Sequence, residues 1–103
     1  MNDEKYYLNN KLYNISKSVE LYEYIEMEPS GLMFMGRVPM TIEVRNRVFK
    51  SPKGNLFKTI VKSKRINIVD INDDNFKEIL LSKNALDILE ELYPQDHQRL
   101  EEY

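Results

Sequence analysis

Val48-Phe49-Lys50-Ser51-Pro52-Lys53-Gly54-Asn55-Leu56-Phe57 is the stretch on which the fold class turns. Pro52 takes the second position of a four-residue turn, where its ring presets φ. Gly54 takes the fourth, where a left-handed conformation closes the turn with a bulge. Upstream, Met40 to Lys50 alternates: Ile42, Val44 and Val48 point one way, and Glu43, Arg45 and Arg47 the other. Downstream, Leu56 to Lys62 reads as the returning strand, and Ile66 to Ile71 as a third after Lys64-Arg65. An antiparallel meander is expected.

Working toward the N-terminus, Leu32 to Met35 reads as a strand bounded by Gly36 and Pro39. Before it, Ser18, Leu21, Tyr22 and Ile25 fall at helical spacing, with Glu20, Glu23 and Glu26 largely off the apolar stripe. Asn14, or Ser16, would cap this helix, and Pro29-Ser30-Gly31 would end it. Tyr6 to Leu8 and Lys11 to Tyr13 flank Asn9-Asn10, a pair that tolerates positive φ and suits a two-residue hairpin turn.

Toward the C-terminus two readings stand for Phe76 to Tyr93. It is one long helix, or Lys77 to Leu81 is a strand and Ser82 caps a helix from Lys83 to about Leu92. Ser82-Lys83-Asn84 interrupts the apolar stripe and favours the second. Pro94 ends that helix, and Gln95 to Glu102 adds a short turn anchored by Leu100 and Tyr103. The expected fold is α+β: an antiparallel meander with an N-terminal hairpin and two main helices packed on one face. The 103 residues fit a single domain, 1–103.

Composition removes several chemistries. No cysteine means no disulfide, thiol nucleophile or cysteine-held metal. His97 is the one histidine, beside Asp96 in an acidic tail, and reads as a surface residue. Gly31, Gly36 and Gly54 match no phosphate-binding spacing. Asp70, Asp73 and Asp74 read as a polar turn, since an EF-hand's central Gly and distal Glu are missing. No nucleophile, base and oxyanion donor can be assembled, so a non-enzymatic protein without cofactor or metal is expected. The start, Met1 to Lys5, is polar and no apolar run approaches bilayer length, so a cytoplasmic, non-membrane protein is expected.

Charge is strongly segregated. Residues 1–36 carry six acids and three bases, residues 37–65 nine bases and one acid, and residues 66–103 ten acids and three bases. Arg45 and Arg47 on one strand, with Lys58, Lys62 and Lys64 on its hairpin partner, would make a cationic sheet face. Lys50, Lys53 and Arg65 extend it at the turns. Such a face contacts phosphates or an acidic partner protein, or is simply solvated. Seven tyrosines and the soft apolar run Met33-Phe34-Met35 favour protein contact.

Three stretches resemble a loose family of small uncharacterised proteins from phages and mobile elements of low-GC Gram-positive bacteria. They are Lys5 to Asn14 running into Lys17, Val48 to Phe57, and Glu78 to Ser82 followed by Ala85 and Pro94. Ile15 stands where that family has Thr and Leu56 where it has Trp, and Ser30 to Thr41 matches nothing in it. The resemblance implies a hairpin-rich α+β fold, a strand at Lys77 to Leu81 and no enzyme activity. Its genomic setting favours blockers of host defence, including anti-CRISPR proteins. The expected function is therefore binding to a host or phage protein; nucleic-acid binding through the basic hairpin 45–65 is the alternative.

Overall fold

A computed structural model describes residues 4–34 and 38–101. The chain divides into two compact units, Met1–Asp70 and Ile71–Tyr103. The first opens with the expected hairpin, β1 (Lys5–Leu8) and β2 (Lys11–Asn14). Asn9 and Asn10 both take positive φ, 53° and 63°, so the twist of this two-residue turn matches that of the strands it joins.

The expected first helix is a strand. Asn14 does cap, accepting from the Lys17 amide at 3.2 Å, but the helix is one 3-10 turn, Ile15–Lys17. From there β3 (Val19–Phe34) runs antiparallel to β4 (Val38–Lys50). Val19, Tyr22, Tyr24 and Ile25 prefer strands, and a long partner strand satisfies the backbone that a helix would have satisfied internally. Pro29 is tolerated because β3 lies at a sheet edge. Leu32 to Phe34 fall within β3 as expected; Met35 and Gly36 lie outside the described residues.

The central turn forms as read. Gly54 has φ +88°, its amide donates to the Ser51 carbonyl at 2.8 Å, and the Ser51 amide donates to the Asn55 carbonyl at 2.8 Å. It joins β4 to β5 (Leu56–Lys62), and a turn with Ser63 at φ 56° leads to β6 (Arg65–Ile71). The sheet order is β3-β4-β5-β6. Of β4, only Val44 to Lys50 pairs with β5, so the β3–β4 ribbon continues past it.

The hairpin β1–β2 closes over one face of this sheet. Tyr13 and Ile15 bury with Phe49, Phe57 and Ile68, and Tyr6 packs alongside. Tyr13 meets Phe57 edge-on at 5.2 Å between ring centres, and Phe49 stacks on Phe57 at 5.4 Å. A polar latch completes the closure: the Tyr13 hydroxyl donates to Asp70 Oδ1 at 2.7 Å, and Lys11 Nζ bonds Asp70 Oδ2. The bonds from Lys11 and then Tyr13 hold the Asp70 carboxyl below its usual range. The bond to Asp70, then burial, push the Tyr13 hydroxyl up to about 12.

The latch predicts a pH response. Folding lowers the Asp70 value, so its contribution is full above the ordinary carboxylate range and fades as pH falls through the lowered folded value. Folding raises the Tyr13 value, so that contribution is full below about 10 and fades toward about 12. With the Asp70 side chain 46% exposed, Asp70→Ala is expected to cost only about 1 kcal/mol near neutrality. Urea titrations at several pH values should show the difference from the native chain shrinking in acid.

In the second unit the expected strand Lys77 to Leu81 is part of a helix, α1 (Asp73–Ser82). Asn72 and Asn75 exchange side-chain-to-backbone bonds at 2.8 and 3.1 Å, forming a capping box, and Asp73 and Asp74 sit in the positive first turn. Phe76 and Leu80, one turn apart, are fully buried. The break at Ser82-Lys83-Asn84 ends this helix; it does not start the next one. Asn84 is left-handed (φ 56°), the Ala85 amide reaches the Leu80 carbonyl at 2.8 Å, and the Asn84 amide reaches Leu81 at 3.1 Å. Helices α2 (Leu86–Leu92) and α3 (Pro94–Gln98) follow. Tyr93 binds this unit together: its ring meets Phe76 at 6.0 Å, its hydroxyl donates to Asp73 at 2.6 Å, and Lys77 lies over it at 4.9 Å. Leu100 lies just beyond α3, exposed; Glu102 and Tyr103 lie outside the described residues.

The architecture is α+β. Of the two main helices expected, the first is β3, and the helices that form belong to the second unit. Among the described residues no helix is long and apolar enough to cross a membrane.

Candidate interaction surface

Side chains directly opposite each other in an antiparallel pair share a face, so register decides where the basic residues go. Arg45 stands opposite Val61 and Arg47 opposite Thr59, whereas Lys58 stands opposite Val48 and Lys62 opposite Val44. The arginines and the lysines therefore lie on opposite faces, and the single cationic face expected from the sequence does not form. Alternation holds within each strand for Arg45 and Arg47 and for Lys58 and Lys62, whereas Lys64, expected on the same strand, lies in the turn after β5. Phasing between the strands is set by the length of the turn, and here it puts the lysines of β5 beside the valines of β4.

The two faces differ in company. Arg45 and Arg47 share theirs with Phe49, Phe57 and Thr59 of β4 and β5, and with Glu23, Ile25 and Met27 of β3. The Arg47 guanidinium lies 4.8 Å from the centre of the Phe49 ring. The other face carries Tyr22, Tyr24, Glu26 and Glu28 from β3 and Val44, Asn46 and Val48 from β4, beside Lys58 and Lys62. Tyr22 and Tyr24 stack at 5.7 Å.

Strand β3 supplies a partner to each of these four cations. Arg45 donates to Glu23 at 2.5 Å, Arg47 to Glu20 at 2.7 Å, and Lys62 to Glu28 at 2.9 Å. Lys58 donates to the Tyr24 hydroxyl at 3.1 Å. The bond from Arg45 holds the Glu23 carboxyl below its ordinary range, and the bonds to Glu23 and Glu20 raise Arg45 and Arg47 respectively. A helical reading of 18–28 hides all four of these partners. The signal for them is the period-two phasing of Tyr22, Tyr24, Glu26 and Glu28 against Glu23, Ile25 and Met27.

The remaining candidate cations lie toward the two ends of β5, with Lys50, opposite Leu56, on the face of Lys58 and Lys62. Lys50 and Lys53 are exposed at the β4–β5 turn, and Lys64 and Arg65 are exposed at the β5–β6 turn. A seven-residue strand separates the two turns by about 20 Å, roughly twice the screening length at physiological salt. They do not merge into one patch.

On β3 itself, Ile25, Glu26 and Met27 are three consecutive exposed residues, Ile25 at 53% and Met27 at 57%. Consecutive side chains of a strand point to opposite faces, so this edge is open on both. The side chains of Met33 and Phe34, and all of Met35, lie outside the description. Among the described residues no group of three His, Asp or Glu could hold a metal, and every buried side-chain N or O has a hydrogen-bond partner. The acidic turn Asp70 to Asp74 is resolved into a latch and a helix cap. No family model, curated protein or solved structure matches the chain.

Proposed function

We propose that this protein is a non-enzymatic binding module that acts through protein–protein contact. The observation that carries this reading is the matching of Arg45, Arg47, Lys58 and Lys62 by Glu23, Glu20, Tyr24 and Glu28. Phosphate binding draws its affinity from cations that are free to displace counterions. Here these four sheet cations already have partners, and the other candidate cations among the described residues, Lys50, Lys53, Lys64 and Arg65, lie toward the two ends of β5. Exposed apolar side chains on β3, by contrast, are a contact surface for protein. The resemblance to phage and mobile-element proteins puts a host-defence component of the bacterial cytoplasm forward as the target class.

The test has two arms. Fluorescent single- and double-stranded DNA and RNA are titrated with the native chain at low salt, and no binding is expected. The tagged chain is then used to capture protein from a nuclease-treated lysate of a low-GC Gram-positive host. A specific protein retained at moderate salt supports the reading. Nucleic-acid binding that weakens steeply with salt, and is lost in Lys58→Glu with Lys62→Glu, would overturn it in favour of the basic hairpin.

A further inference from the structure

We infer that the open edge of β3 from Tyr22 to Glu28 accepts an added strand from the partner, one with basic residues on one face and apolar residues on the other. This rests on the protein-binding reading and names its site.

Three observations place it. β3 ends the order β3-β4-β5-β6, so among the described residues no strand pairs with its outer edge, and Ile25, Glu26 and Met27 stand exposed on both faces. The register with β4 is irregular between Glu20 and Tyr22 and between Pro29 and Met33, and it is unbroken from Tyr22 to Pro29. Bulges and prolines blunt a sheet edge against strand addition; here they bracket a regular segment and leave it open. The third observation is charge. Between Val19 and Pro29 every charged residue is acidic: Glu20, Glu23, Glu26 and Glu28.

The sign selects the occupant. A second copy laid on this edge brings glutamates against glutamates, which is destabilising across a strand pair. A strand with lysine or arginine facing Glu26 and Glu28 gains opposite-charge pairs, and its other face then meets Ile25 and Met27. Bonds that these glutamates already make within the chain, such as that from Lys62 to Glu28, do not use up the carboxylates, because each offers about four acceptor positions.

The experiment uses the native chain of 103 residues, labelled for amide NMR, and three synthetic peptides. One alternates lysine with valine, one alternates glutamate with valine, and the third is the basic peptide N-methylated at alternate residues. The basic peptide should shift amides within 22–28 and bind at least about tenfold more tightly than the acidic one. N-methylation removes the donors that pair with a sheet edge, so it should lower affinity about tenfold. The variant Glu26→Lys with Glu28→Lys should reverse the preference between basic and acidic peptides. The inference is overturned if the basic peptide fails to bind or shifts amides elsewhere, if N-methylation changes nothing, or if the chain dimerises through β3. The capture experiment does not depend on the peptides, so a target retained there with no peptide binding would leave the protein-binding reading standing and remove this edge from it.

Discussion

Phe57→Ala should produce the largest loss of stability of any single truncation in the sheet unit, about 3–5 kcal/mol. Phe57 is 2% exposed and touches the two other aromatic rings of that core, Tyr13 and Phe49, so the hole it leaves cannot be filled by one neighbour moving. Set against a total of about 5–15 kcal/mol for a domain, this is a large fraction, and Tm should fall by roughly 15 °C or more. Amide hydrogen exchange on the variant then asks a second question. If α1 to α3 lose protection together with the sheet, residues 1–103 unfold as one domain; if they keep it, the two units are independent.

Glu20→Lys with Glu23→Lys should strengthen nucleic-acid binding well beyond that of the native chain, for which the proposed function expects none. The two changes move the net charge from −2 to +2, and they turn two ion pairs into four cations on the face that carries Arg45 and Arg47. Four phosphate contacts on a single strand or duplex give a slope of roughly −2.8 to −3.6 in log affinity against log salt. Affinity should therefore drop about 50- to 150-fold between about 50 and 200 mM salt. Fluorescence titration with a labelled oligonucleotide reads this directly. If the variant binds no better than the native chain, acid pairing on β3 is not what keeps this face from phosphate.

Local chemistry was legible wherever a turn residue admits one geometry. Asn9-Asn10 and Pro52-Lys53-Gly54 each specify a reversal through backbone conformations that few residues tolerate, and both hairpins form around them. The alternation of β4 was legible for the same reason, since a strand has one side-chain period. The segment 18–28 was not, because its apolar residues satisfy helical and strand spacing at once. In 72–84, Ile79-Leu80-Leu81 looked like a buried strand, although the Asn72/Asn75 box and Asn84 mark the two ends of a helix.

The candidate surface divides in the same way. Which residues are basic, and that they alternate along a strand, follows from the sequence. Their distribution over two faces follows from the register of β4 with β5, and their neutralisation follows from where β3 lies. The first depends on the length of the turn between the two strands; the second rests on contacts between residues more than twenty positions apart, which no local propensity encodes. The turns, the alternation and the segregation of charge follow from the chain's local order, because each is a property of neighbouring residues. That 19–34 is a strand, that its glutamates meet the arginines and Lys62, and that it ends the sheet order are matters of long-range pairing. Strand pairing satisfies a backbone with a distant segment, and that segment's register then chooses each side chain's company.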